Sequence, residues 1–171
     1  MKITGYQLMD RLDELKEQAQ NLDNQFKASL FQFSDERSQR SDPRLLMQEY
    51  AEVERKVAAL QEAQSSYNLN VTVTVNDETM SLERAVKLIG SANRVKNQWK
   101  TASQDDANPY SPYGSQRQRD KDNEYAVRIV PVEEALQLSE EAARRASALK
   151  RAIRSGNASE IEMELDSALF A

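Results

Sequence analysis

Tyr67–Val75, YNLNVTVTV, is the one run of strong β-formers in an otherwise helical sequence. Leu69, Val71, Val73 and Val75 alternate with Asn70, Thr72, Thr74 and Asn76. This period of two predicts a strand over 69–75 with one buried face, and β-branched residues suit such a surface. A lone strand leaves its backbone donors and acceptors unpaired, so a partner is required. The candidate is Glu124–Val130, EYAVRIV, with Tyr125, Val127 and Ile129 on one face. The expectation is a mainly α (α+β) protein in which a small antiparallel β-sheet ties together long antiparallel helical hairpins.

Upstream, Leu8, Leu12, Leu15, Ala19, Leu22 and Phe26 follow spacings of 4, 3, 4, 3 and 4. Apolar residues in that rhythm form a seam for coiled-coil-like packing, and predict a helix over 4–33. Ser34 to Ser41 is polar throughout, and Asp42-Pro43 reads as an N-cap followed by proline in the first helical position. A second helix over 43–65 carries Leu46, Tyr50, Val53, Val57 and Leu60. Two matched seams joined by a short polar turn make an antiparallel hairpin.

Downstream of the strand, Asn76-Asp77 favours a tight turn and tolerates positive φ. Ser81 can cap a helix over 82–103, whose seam is Ala85, Leu88, Ala92, Val95, Trp99 and Ala102. Trp99, the only tryptophan, reads as a buried anchor near the helix end, against the alternative of a stacking platform for a ligand. The segment 104–123 breaks every pattern, and a loop of that length without structure of its own is commonly functional. After the strand at 124–130, Pro131 opens a helix over 131–155. Its seam, Val132, Ala135, Ser139, Ala142, Ala146, Leu149 and Ile153, is rich in small residues. Glu140 with Arg144, and Glu141 with Arg145, stand at i,i+4 spacing for ion pairs, so the charges read as a solvated face. Gly156-Asn157 is expected to stop this helix. Beyond it, 160–166 alternates strictly and suggests a third strand. Glutamate's propensity favours instead a helix using Ile161, Leu165 and Ala168. One domain over 1–171 is expected.

The succession resembles an uncharacterised, septicolysin-like family of small bacterial helical proteins. The pieces that carry the resemblance begin with the leading hairpin, Tyr67-Asn68-Leu69-Asn70 entering the strand, and Thr79-Met80-Ser81-Leu82-Glu83-Arg84-Ala85. A polar, basic segment then enters Tyr125–Val130, and Ala152-Ile153-Arg154, Asn157 and Glu160-Ile161 follow. The resemblance implies a fold, and no activity, cofactor or catalytic residues.

The chain contains neither histidine nor cysteine. That removes the commonest general base and metal ligand, thiolate chemistry, and every Ser-His or Cys-His nucleophile. Walker, Rossmann and EF-hand motifs are missing from the sequence. An all-oxygen cation site at Asp105, Asp106 and Asn108 is a weak alternative. The 28 acidic residues outnumber 23 Lys and Arg for a net charge of −5, which disfavours nucleic acid as the main partner. No apolar run is long enough for a membrane span, and no secretory-type apolar segment follows Met1–Thr4. A cytoplasmic protein without cofactor is therefore expected.

The expected function is non-enzymatic: a self-assembling structural or interaction protein, working as a homo-oligomer. The alternative is a binding module whose 104–123 loop grips a protein partner or single-stranded nucleic acid. Its candidate residues are Tyr110, Tyr113, Arg117, Arg119 and Lys121, with Arg128 just beyond. Aromatics interleaved with bases suit stacking and phosphate contact.

Overall fold

The computed structural model describes residues 1–31, 41–104 and 129–170. The protein is mainly helical, with small antiparallel sheets. In chain order the elements are β1 (Lys2–Thr4), α1 (Gly5–Ser29), α2 (Pro43–Asn70), β2 (Thr72–Val75) and β3 (Glu78–Ser81). Then come α3 (Leu82–Ala102), α4 (Val132–Ala158), β4 (Glu160–Glu162) and a 3-10 turn at Ser167–Leu169. The chain divides into two compact units, interleaved in sequence. The first comprises Met1–Val73, Ser81–Glu83 and Arg154–Ala171, and the second Thr74–Met80 and Arg84–Ile153.

In the first unit, α1 and α2 bury the predicted seams. Leu8, Leu12, Leu15, Ala19 and Leu22 are buried on α1, and Leu46, Val53, Val57 and Leu60 on α2. Gly5 lies beside Tyr67, and Asp23 and Lys27 act on Tyr50, so the two helices run antiparallel. Helix α1 starts on a capping box, in which the Thr4 hydroxyl accepts from the Gln7 N–H and the Gln7 side chain accepts from the Thr4 N–H. It ends at Ser29, four residues short of the expected boundary, where the Ser29 hydroxyl bonds back to the Phe26 carbonyl. Asp42 caps α2, accepting from the Arg44 N–H at 2.8 Å, with Pro43 in the first turn.

Helix α2 does not stop near Ser65. It continues to Asn70, because Ala63 and Tyr67 extend the buried stripe past Leu60. The Val71 N–H donates to the Tyr67 carbonyl, and the Asn70 amide to the Ser66 carbonyl, closing the last turn. Leu69 and Asn70 are thus helical, and the strand expected over 69–75 starts at Thr72. Among the described residues its partner is the segment that follows directly. Asn76 and Asp77 both take positive φ, 49° and 67°, the conformation of a two-residue hairpin turn matched to strand twist. The chain therefore folds straight back, and β2 pairs with β3. The Thr74 and Thr79 hydroxyls meet at 3.3 Å on the exposed face, while Val73, Val75 and Met80 are buried. Of the expected strand 124–130, residues 124–128 lie outside the described residues; Ile129 and Val130 form a bend, with Ile129 almost fully exposed.

The third expected strand is real but short, and it sits in a different sheet. β4 pairs antiparallel with β1, Ile3 opposite Ile161, and Lys2 and Thr4 opposite Glu162 and Glu160. Three residues at Lys2–Thr4 are too few to show a period, so the partner had no signature. Beyond β4, Asp166 caps the 3-10 turn, whose Leu169 carbonyl accepts from the Arg11 guanidinium at 2.7 Å.

Gly156 stays inside α4, with no positive φ, so it is not the helix stop expected of it. It serves close packing: an added Cβ would sit 2.8 Å from Val73 and 2.9 Å from Leu82. The Tyr67 hydroxyl, on a fully buried ring, shares its proton between the Gly156 carbonyl at 2.7 Å and the Ser159 carbonyl at 2.6 Å. One side chain thus ties the end of α2 to the end of α4 within this unit.

Two outcomes follow from this packing. Gly156→Ala forces Val73 or Leu82 to move and should cost about 1–3 kcal/mol in urea unfolding. Tyr67→Phe leaves carbonyl acceptors short of a donor and should cost about 1–3 kcal/mol. Burial also pushes the Tyr67 phenol above its usual 10.0. The unfolded phenol ionises first as pH rises, so the unfolding free energy should fall above pH 10, and Tyr67→Phe should lose that part of the fall.

Candidate functional site

The residues singled out as a binding loop, Tyr110, Tyr113, Arg117, Arg119, Lys121 and Arg128, all lie outside the described residues, as do Asp105, Asp106 and Asn108. Among the described residues no group of three or more carboxylates is placed to hold a metal ion. What the described residues do bring together is a groove within the second unit.

The groove arises from how α3 and α4 meet. The Ser139 hydroxyl donates to the Lys96 carbonyl at 3.2 Å, while Leu88 lies near Arg145 and Leu149, so the helices run antiparallel. Within this unit the buried positions on α4 are Ala135, Ser139, Ala146 and Leu149. This stripe lets α3 approach, but alanine and serine cover little of a larger side chain opposite. Ala85 and Ala92 of α3 are buried, whereas Val95, on the same seam, is 45% exposed. Leu88 and Trp99 are half-buried.

The result is an open groove of about 370 Å³. Leu88, Ala92, Val95 and Trp99 line one wall, with Ser91 beside them; Leu138 and Ala142 line the other. Trp99, expected as a buried anchor, instead presents part of its ring to this groove. Glu141 and Arg145 stand along the α4 side. Their expected ion pair is not made among the described residues, although Glu140 and Arg144, one position earlier, approach to 4.0 Å. Arg145 also borders a smaller concavity by the hairpin, with Val75, Glu78 and Met80. There Glu78 is paired with Arg84 at 3.1 Å.

The groove is lined mainly by apolar side chains. Its lining holds one hydroxyl, one carboxylate and one guanidinium, with no nucleophile–base pair among them. Outside it, the half-buried Tyr50 phenol on the α2 seam is shifted up, chiefly by the charge of Glu54 and a hydrogen bond to it.

The seam residues that form this groove were visible in the sequence; their exposure was not. The available signal was the mismatch between a small-residue stripe on α4 and the large side chains of α3. Compared with family models, curated proteins and solved structures, the chain matches none.

Proposed function

We propose that this chain is a non-enzymatic, self-assembling structural or interaction protein that works as a homo-oligomer in the cytoplasm. The observation that supports the reading is the uncovered half of the α3 seam, where Val95, Leu88 and Trp99 face an open groove. A contiguous apolar surface of this kind, rimmed by charge, marks an interaction site. Tryptophan, which lines one end of it, is a residue type enriched among the anchors of protein contacts. The absence of histidine and cysteine weighs against catalysis. Among the described residues no helix is long and apolar enough to cross a membrane.

Light scattering on the full chain tests this directly. The expected molar mass at micromolar concentration is a whole multiple of the 19.5 kDa chain. A compact monomer up to high micromolar concentration would end the assembly reading.

A further inference from the structure

The assembly reading leaves open which copy of which surface covers the groove. Glu141 and Arg145 narrow the choice. Both stand on the groove side of α4, both are exposed, and among the described residues neither has an ion-pair partner. They are four residues apart, about 6 Å along the helix axis, and opposite in charge. A surface carrying one charge of each sign at such a spacing is complementary to itself when turned through a two-fold axis. Antiparallel packing of two α4 helices sets Glu141 against Arg145 of the second copy and Arg145 against its Glu141. Parallel, in-register packing would set like against like. Ala142 lies between them on the groove wall, small enough to let the two helices approach.

We propose that the occupant of the groove is the same groove of a second copy, docked antiparallel about a two-fold axis near Ala142. This rests on the assembly reading and specifies its surface. Leu88, Val95, Trp99 and Leu138 from each copy would then form a shared apolar centre. The two Glu141–Arg145 pairs would flank it, giving the four helices the layout of an antiparallel bundle. Flanking pairs of this kind contribute less to affinity than the apolar centre, and more to orientation and specificity.

Charge exchange distinguishes this surface from others. Molar mass would be followed against concentration for the full chain, for Glu141→Arg, for Arg145→Glu, and for the double variant. Each single change places like charges opposite each other twice by symmetry, and should weaken association about tenfold or more. The double variant rebuilds both pairs in reverse and should return to within about threefold of the parent. Both positions are exposed, so thermal unfolding monitored by circular dichroism should show all four chains equally folded. Singles that associate as tightly as an assembling parent would overturn the proposed surface while leaving assembly intact. A double variant as weak as the singles would also overturn it. A monomeric parent would remove the assembly reading itself.

Discussion

The first unit depends on the burial of one phenol. Tyr67 closes the last turn of α2 with no exposed surface, and its hydroxyl reaches the Gly156 and Ser159 carbonyls where α4 gives way to β4. A buried hydroxyl without partners is costly, so the ring can sit there only because that backbone is within reach. The approach in turn requires glycine at two places. A Cβ on Gly5 would fall 2.6 Å from the Asn157 amide oxygen and 2.8 Å from the Tyr67 ring, and one on Gly156 would meet Val73 and Leu82. The start of α1, the end of α2 and the end of α4 are therefore fixed around a single side chain. The β1–β4 pairing follows, because β1 leads directly into Gly5 and β4 begins just past Ser159.

The second unit obeys a different constraint. A helix hides its apolar stripe only as far as its neighbour's side chains extend. In the α1–α2 pair, leucine lies on both helices and valine adds to it on α2, and the seams are buried nearly end to end. On α4 the stripe is mostly alanine and serine, so the larger residues of α3 remain partly in water. Ser139 is the one buried polar residue noted in the described core, and its hydroxyl is satisfied by the Lys96 carbonyl. The groove is thus a consequence of close approach. Its lining is continuous with the α3 seam.

Much of this was legible in the sequence. The three-and-four spacing placed all four helices, and nearly every predicted seam position on α1 and α2 is buried. Asn76-Asp77 favours a tight turn and tolerates positive φ, and both residues adopt it. What failed was the competition between two periods at Tyr67–Val71. Alternation over Leu69, Val71, Val73 and Val75 spoke for a strand, but the packing of Ala63 and Tyr67 kept the helix going to Asn70. The β2–β3 pairing goes unpredicted for a related reason. A turn that reverses the chain so tightly makes the next residues, Glu78–Ser81, the nearest partner, although their pattern is weak. The groove was invisible because exposure depends on what lies opposite, and single-helix periodicity does not report it. Likewise, i,i+4 spacing predicted equal pairs for Glu140–Arg144 and Glu141–Arg145, yet only the first forms among the described residues.

A chain without cysteine allows a direct test of what covers the α3–α4 face. Ala142→Cys would place the protein's only thiol on the groove wall, beside the inferred two-fold axis, and Glu17→Cys would place one on the exposed side of α1 as a control. Disulfide formation needs Cα atoms within about 7 Å of one another. Under mild oxidation the account predicts a covalent dimer from Ala142→Cys, formed rapidly at concentrations where the parent assembles, and little from Glu17→Cys. No covalent dimer from Ala142→Cys in an assembled sample, or equal yields from both positions, would contradict it.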